Sequence, residues 1–582
     1  MPVNPTPAQA APPWGWCLLL LAGLLIYTLG LDGQYMPSNG DELVYSHIAR
    51  RTAESGHWLP LVSDLPQMRN TKPPLLFWQG MVAGDWGAHW SQAALRLPSL
   101  LYTLVLTLLL AFTAWHLRRD AATALRAACL FLAFTSTLRY GRPYLTSAPE
   151  TFWLALPMLA LLRRPSCTST LPSPLGWLAV GACWALGIGH KSFALLLPAA
   201  VAYAAAVTAL QPAVGRATVL RITFGCAMAG TLALAFFGLW FVLDPDPAAV
   251  WREFIVGENA GKLANAQGYW HEALLGGGSS MPAQLFAYVQ NAGLLAPVVL
   301  LAMLAGGWWL ARAPSRILAI PNEQRVPLVW LSVWLLVFML PSQRSARYLI
   351  PAMPALALLL ALHWQRLPRF GFMLTLVLVA PLALLLARIA QTEAALGVAS
   401  EGQFAWALGL ARLTLVVVLI GLARARTTRA TALAAVLLLY ALLQATLAPL
   451  DGQAGQYDTA ARATVRGLRV AVPSSFNGQF ERFRFLLPQA AAWMPYDGER
   501  RTAARGDDAD TLQARLEQFD AVVWLPAVES DSAPPCLPRC RVLGQRWELK
   551  GRHASGEITL TNLWQPEHWL LRREWLLARA RP

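Results

Sequence analysis

The 582 residues are 56% hydrophobic and only 14% charged, with a mean hydropathy of +0.42. A soluble chain of this length would divide into domains with separate cores rather than run as one long apolar stretch, so a soluble enzyme is excluded. The net charge of +15 follows the topological bias of a membrane protein and calls for no nucleic-acid partner.

From the N-terminus, an uncharged stretch leads into Trp16–Leu31, an apolar run without Asp, Glu, Lys or Arg. No small-x-small cleavage site follows it, so it is expected to be an uncleaved first span. Leu100–Leu117, Phe193–Leu210 and Ala432–Leu447 are runs of the same kind. A span takes roughly 20 apolar residues, and the runs as far as Leu447 predict about thirteen helices. The connections His116–Arg126, Arg163–Pro174, Arg216–Arg221, Arg312–Arg325, Arg366–Arg369 and Arg424–Arg429 are short and basic. They fall at every second connection, which predicts a cytoplasmic side and a cytoplasmic N-terminus. An odd number of spans then puts everything after Asp451 outside.

Three polar blocks face outward in this scheme: Asp32–Ser91, Asp244–Gln284 and Asp451–Pro582. The expected fold is an α-helical polytopic membrane protein. Residues 1–450 form the transmembrane domain, with outer loops 32–91 and 244–284, and residues 451–582 form a small extracytoplasmic α/β domain. Leu468–Pro473 and Phe519–Leu525 pattern as strands and Thr511–Phe519 as a helix. The tail His568–Ala578 alternates Trp/Leu clusters with Arg and predicts an amphipathic helix, on its own domain or on the membrane surface. Cys17, Cys129, Cys183 and Cys226 lie in apolar runs as packing residues, while Cys167 falls in a basic loop. Cys536 and Cys540, in Cys-Leu-Pro-Arg-Cys, are expected to form a local disulfide in an oxidising compartment. There is no tandem repeat, Walker or dinucleotide loop, or His-Glu-x-x-His.

Lys72, Arg139, Arg142, Lys191, Arg344 and Arg347 fall in loops opposite the basic face. Cations kept on the side that positive-inside sorting depletes ask for an anionic partner. The acids are sparse: between Ala93 and Leu243 only Asp120 and Glu150 occur. Asp41 and Glu42 open a predicted helix within Pro37–Gly56. Ser38-Asn39-Gly40-Asp41 also fits a capping box, so Asp41 has a structural as well as a chemical reading. Pro73 biases Lys72 toward extended backbone, and the prolines suit the first turn of a helix over Leu75–Val82. Lysine beside that helix start makes an anion site, or it snorkels to headgroups. Glu150, after Arg139-Tyr140-Gly141-Arg142, has a plain reading as an arginine partner.

The ordered set Asp41-Glu42-x-x-Tyr45, Ile48-Ala49-Arg50, Gly56-x-Trp58, Lys72-Pro73-Pro74, Trp78 and Arg96-Leu97-Pro98-Ser99 resembles the N-terminal signature of GT-C membrane glycosyltransferases. It is most similar to the aminoarabinose transferases acting on lipid A and to the related protein O-mannosyltransferases. His190-Lys191-Ser192-Phe193, Gly257-Glu258-Asn259 and Arg347-Tyr348-Leu349-Ile350-Pro351 continue the resemblance as far as Pro354. Two positions depart from the aminoarabinose pattern. Thr71 stands where those enzymes have an acid before Lys-Pro, and their acid in the second outer loop aligns nearer Ser147 than Glu150.

The resemblance implies a sugar donor on a polyprenyl phosphate, undecaprenyl phosphate in a bacterium, and a catalytic aspartate in the first outer loop, which falls on Asp41. Glu42 and Glu150 are the other acid candidates. An acceptor hydroxyl must lose its proton as it attacks the anomeric carbon, so a carboxylate within reach is the expected base. The phosphate departs with negative charge and needs fixed cations. Lys72, Arg142, Lys191, Arg344 and Arg347, with Tyr348, are the donor-phosphate candidates. Tyr45, Glu258, Asn259 and His271 are further site candidates. No metal is expected to be obligatory, although Asp41, Glu42 and His271 offer oxygen and nitrogen ligands for a divalent ion. The expected function is an inverting glycosyltransferase of the inner membrane, active on its periplasmic face, with lipid A, another glycolipid or a protein as acceptor. The competing expectation is a transporter or flippase of anionic lipid or glycan. Transporters usually carry internal repeats and mid-membrane ionisable groups, whereas this chain keeps most of its acids in the outer blocks.

Overall fold

The structure is a computed structural model. It describes residues 13–35, 40–163, 171–211, 213–260, 269–312, 320–474, 478–496, 509–526, 533–551, 553 and 555–580. Cys167 and the Ser38-Asn39 part of the expected capping box lie outside these residues.

The chain is a multi-pass membrane protein. Among the described residues, six helices are long and apolar enough to cross a bilayer: Gln92–Arg118, Arg216–Leu243, Ala287–Trp309, Arg369–Ala395, Glu401–Ala423 and Thr428–Asp451. A seventh candidate is the pair Ala121–Ala133 and Thr135–Gly141, bent by 64°. Trp14–Thr28, Ser147–Leu162, Phe193–Ala209 and Ala346–Leu362 are shorter apolar helices. Thr428–Asp451 is the most enclosed of the long helices. Its Tyr440 hydroxyl donates to Ala133 O at 2.8 Å, tying it to the bent pair at the kink.

The first eight α-helices among the described residues are α1 (Pro13–Thr28), α2 (Gly40–Glu54), α3 (Pro74–Ala83), α4 (Gln92–Arg118), α5 (Ala121–Ala133), α6 (Thr135–Gly141), α7 (Ser147–Leu162) and α8 (Pro174–His190). α2 and α3 occupy the first outer block. α2 buries Val44, Tyr45, Ile48, Ala49 and Ala53, the i, i+4 spacing of one apolar face. α3 begins where its prolines allow. Pro73 is the extended N-cap, and Pro74 takes the first position, whose N–H would be unpaired anyway. The second outer block opens on Pro247–Val250 and passes into a π-helix, Trp251–Asn259. Such wide turns are uncommon and concentrate at functional sites.

The C-terminal region holds a five-stranded mixed sheet of β1 (Arg469–Pro473), β2 (Ala492–Tyr496), β3 (Ala521–Trp524), β4 (Cys540–Leu549) and β5 (Leu571–Arg579), in the order β2-β1-β3-β5-β4. β1 runs parallel to β2 and β3, while β5 is antiparallel to β3 and β4. The expected strands coincide with β1 and β3, and the expected helix with Ala509–Gln518. The tail departs from expectation: only Pro566–Trp569 is helical, and Leu571–Arg579 is a strand. Ion pairs between β4 and β5 hold it there. Arg572 Nε lies 2.6 Å from Glu548, and Glu574 receives Arg546 Nε at 2.5 Å. A cross-strand charge ladder, invisible to helical spacing, thus decided the segment. The Cys536–Cys540 disulfide is formed.

The sheet grips the first outer block. Glu481, in the turn after β1, is fully buried and receives Arg50 Nε at 2.5 Å and Arg50 Nη2 at 3.0 Å. The Asp64 N–H donates to His47 Nε2 at 3.0 Å, so the ring proton sits on Nδ1 and is donated to Glu481 at 2.9 Å. Despite burial, His47 and Arg50 hold the Glu481 carboxyl below its usual range. Gly478, at φ +77°, packs so closely on α2 that a Cβ there would meet Val44 at 2.7 Å.

Candidate active site

Three cation–carboxylate pairs meet at the outer ends of the helices. Arg347 Nη1 lies 2.6 Å from Asp41 Oδ2, Lys72 Nζ 2.6 Å from Glu258 Oε1, and Lys191 Nζ 2.8 Å from Glu150 Oε1. Each cation is set by a local break in regular structure. Lys72 directly precedes the Pro73 cap of α3, and its Nζ also donates to Thr71 O at 2.8 Å. Lys191 ends α8 with non-helical backbone, φ −135° and ψ −62°. Arg347 rides on the 3₁₀ turn Ala346–Ala352, whose Ser345 hydroxyl accepts the Arg347 N–H.

Aromatic rings join the three pairs. Arg347 lies over Tyr140 at 5.2 Å, Lys191 over Tyr348 at 5.7 Å and Lys72 over Tyr45 at 5.9 Å. Such contacts steady a cation without neutralising it. Burial, then the Asp41 carboxylate, drives the Tyr45 phenol well above its ordinary range, keeping it neutral. At Lys191, burial lowers the ammonium pKa; Arg347 and Lys72 lower it further, against the pull of Glu150. The three cations therefore feel one another, and a dianionic group between them would relieve that repulsion.

The two adjacent acids divide. Asp41 keeps 49% of its side chain exposed, so an incoming hydroxyl can reach it. Glu42 is buried in a two-pronged pair with Arg96, Nε to Oε1 at 2.7 Å and Nη2 to Oε2 at 2.9 Å. It also accepts the Tyr144 N–H at 2.8 Å. With these bonds Glu42 locks α2 to α4 and to the loop after α6. Glu150 is fully buried, with one oxygen on Lys191 and the other without a hydrogen-bond partner among the described residues.

Two of the expected phosphate ligands are not brought to the cluster. Arg142 donates to Tyr27 O at 2.9 Å and to Leu29 O, binding carbonyls at the end of α1. Arg344 donates to Met339 O at 2.8 Å and Ser279 O at 3.2 Å, and to the Tyr269 hydroxyl at 3.0 Å. Both guanidinia are buried and give most of their donors to main-chain carbonyls, while Arg142 Nη1 has no hydrogen-bond partner among the described residues. Asn259 accepts from the Ser192 hydroxyl at 2.7 Å, which anchors the π-helix beside Lys191. His271 is exposed on Tyr269–Leu275 and joins no ion pair among the described residues. Arg139 is exposed over Tyr140. Ser147 faces Arg347 Nε at 3.5 Å. No group of three or more His, Cys, Asp or Glu is arranged to hold a metal ion among the described residues.

Fold and site together define a polytopic membrane protein with a cluster of cation–carboxylate pairs around a half-exposed aspartate. The family model described as dolichyl-phosphate-mannose-protein mannosyltransferase matches residues 36–252, which include Asp41, Lys72, Glu150 and Lys191. The chain is similar to undecaprenyl phosphate-alpha-4-amino-4-deoxy-L-arabinose arabinosyl transferase 1 of Sodalis glossinidius, 28% identical over 355 residues, covering 60% of this chain and 58% of that protein. It is equally similar to the protein of the same name from Pseudomonas fluorescens, 28% identical over 367 residues, covering 60% and 59%. The chain thus aligns with about three-fifths of the length of these curated relatives. The crystal structure of ArnT from Cupriavidus metallidurans bound to undecaprenyl phosphate shares the fold, with a TM-score of 0.58 at 15% identity over 98% of this chain and 100% of that one.

Proposed function

We propose that this protein is an inverting glycosyltransferase that moves a sugar from a polyprenyl-phosphate donor, undecaprenyl phosphate in bacteria, to an envelope acceptor of the lipid A class. The observation that carries the reading is the convergence of Lys72, Lys191 and Arg347 beside the exposed carboxylate of Asp41. In this scheme Asp41 takes the acceptor hydroxyl proton as the oxygen bonds to the anomeric carbon. The bond from that carbon to the phosphate oxygen breaks, and its electron pair leaves with the lipid phosphate. The three cations stabilise the charge that develops there. Arg347 must partly release Asp41 to do so, which couples donor arrival to freeing of the base. Lys72, Lys191 and Arg347 supply positive charge that a divalent ion would otherwise bring, so the scheme uses no obligatory metal. The transport alternative gives the exposed Asp41–Arg347 pair no task.

Direct donor binding tests the assignment. In purified protein of matched thermal stability, Lys72→Ala, Lys191→Ala and Arg347→Ala should each weaken polyprenyl-phosphate binding by about ten- to a hundredfold, the loss of one charge-assisted contact. Arg347→Lys should rescue only in part, since lysine keeps the charge and loses the planar fork. Arg142→Ala and Arg344→Ala should instead lower the melting temperature. Unchanged affinity in both Lys72→Ala and Arg347→Ala overturns the assignment.

The reading places the protein in the inner membrane with its site and C-terminal sheet in the periplasm. The alternating basic loops support this orientation. A reporter fused after Arg426 should behave as cytoplasmic and one fused after Gly455 as periplasmic. A cytoplasmic signal from the second fusion reverses the orientation.

A further inference from the structure

Three of the basic connections converge on one small cavity, of about 170 Å³. Arg118 and Arg126 reach it from the connection that joins α4 to α5, Gln324 from the start of the helix Asn322–Met339, and Arg366 with His363 from the turn after Met353–Leu362. Arg118 is the last residue of α4, whose 27 residues span roughly 40 Å from a start beside Glu42. The cavity is therefore at the opposite end of the molecule from the Asp41 cluster.

Its charges are unequally satisfied. Arg118 pairs with Glu323 at 2.7 Å. Asp120, on the same connection, is engaged at the start of α5, where it accepts the Ala122 and Thr123 N–H groups at 3.1 and 2.9 Å and the Thr123 hydroxyl at 2.6 Å. Burial, then Arg366 and Arg118, holds the His363 imidazole below its ordinary range, so the ring feels both cations. Arg126 is the exceptional group. It is only 6% exposed, yet it makes no hydrogen bond and no ion pair among the described residues. Trp16 of α1 and Trp364 flank its guanidinium at 5.3 and 5.5 Å, the two rings standing edge to face at 84°. Such rings fix a cation without neutralising it. The Arg126 Nε is sealed off, but the two Nη nitrogens are not, and the side chain lines the cavity. Positive-inside sorting accounts for arginines in these connections. It does not call for a buried guanidinium without a partner, since buried charges are normally paired.

We infer that this cavity binds a single phosphate group, taken by the Arg126 Nη nitrogens with Arg366 and Arg118 beside it. A guanidinium edge matches phosphate oxygens two at a time, and a dianion would offset the unpaired charge. Pockets that enclose whole small molecules run from about 300 to 1,000 Å³, so this smaller space suits a phosphate and not a nucleotide or a sugar phosphate. The phosphate has two sources, the headgroup of a lipid in the leaflet at the basic face or the free inorganic ion.

Calorimetric titration tests the site without any turnover. Full-length protein in a neutral detergent, at constant ionic strength, is titrated with inorganic phosphate and with dioctanoyl phosphatidic acid. Chloride and dioctanoylglycerol, which lack the phosphate, are the controls. Saturable binding at least tenfold tighter than either control is expected. Arg126→Gln and Arg366→Gln, matched to the parent in melting temperature, should each weaken it about tenfold or more. Arg126→Lys keeps the charge and loses the fork, so it should bind with intermediate affinity, and it carries the test if Arg126→Gln does not fold. Lys72→Ala, at the other face, should leave this binding intact, which separates it from any phosphate held beside Asp41. Tighter binding of phosphatidic acid than of phosphate assigns the site to a lipid headgroup; phosphate binding as tightly or more tightly assigns it to the free ion. No binding beyond the controls, or parent affinity in all three Arg126 and Arg366 variants, overturns the inference and leaves Arg126 as a brace between two indoles.

Discussion

Asp41→Asn should leave the protein folded and able to bind donor while lowering turnover by about 100-fold or more, the typical loss when a general base is removed. Asparagine keeps the shape of the side chain and can still serve a helix start, where it ranks with aspartate. It has no basic oxygen for the acceptor proton. Donor affinity should hold or rise, because Arg347 loses the carboxylate that competes for it at 2.6 Å. Purified enzyme assayed for transfer and for polyprenyl-phosphate binding gives both readings. Full transfer activity in the variant would reduce Asp41 to a structural partner of Arg347 and remove the base from the mechanism.

The largest stability effect is expected next door. Arg96→Ala should destabilise the protein by roughly 3–5 kcal/mol, the usual cost of stripping one partner from a buried ion pair. The side chains of Glu42 and Arg96 are 9% and 2% exposed. Arg96 also donates to Leu31 O and Gly33 O, at 2.9 and 2.5 Å, so its loss leaves Glu42 and two carbonyls short of bonds. Glu42→Gln should cost less, since an amide oxygen still accepts from the Tyr144 N–H. The double variant Glu42→Leu with Arg96→Leu should recover much of the loss, because replacing both partners removes the uncompensated charge. Thermal unfolding of the four proteins in one detergent decides the matter. An Arg96→Ala protein as stable as the parent would mean that water or lipid headgroups already shield Glu42.

The contrast between these neighbours marks how far the sequence could be read. Charge on the unexpected side of the membrane picked out Lys72, Lys191 and Arg347, because topology constrains where lysine and arginine collect. The same rule also picks out Arg142 and Arg344, most of whose paired donors serve main-chain carbonyls. Charge alone does not say whether a phosphate or a helix end uses it. Arg96 stood within a recognised motif, yet its pairing with Glu42 needed the fold to bring α4 against α2. For the same reason Glu150 reads from sequence as a partner of a nearby arginine, whereas the fold gives it Lys191, and the pairing of Glu258 with Lys72 is not legible at all. In the sheet, β1 and β3 were legible as short apolar runs. β4 and β5 were hidden because their charges pair across strands, at a spacing that one segment by itself does not reveal. Nothing local to Glu481 marked it, since its partners lie on α2.

That last contact also sets an order of events during biogenesis. Glu481 is separated from His47 by 434 positions, so α2 is synthesised long before its anchor exists. Until the turn after β1 has folded against the sheet, Arg50 and His47 lack the carboxylate that fixes the helix bearing Asp41. A nascent chain would therefore hold Asp41 and its helix loosely until the sheet region has been made. Competence would arrive in one step, when the last-made part of the molecule closes on one of the first.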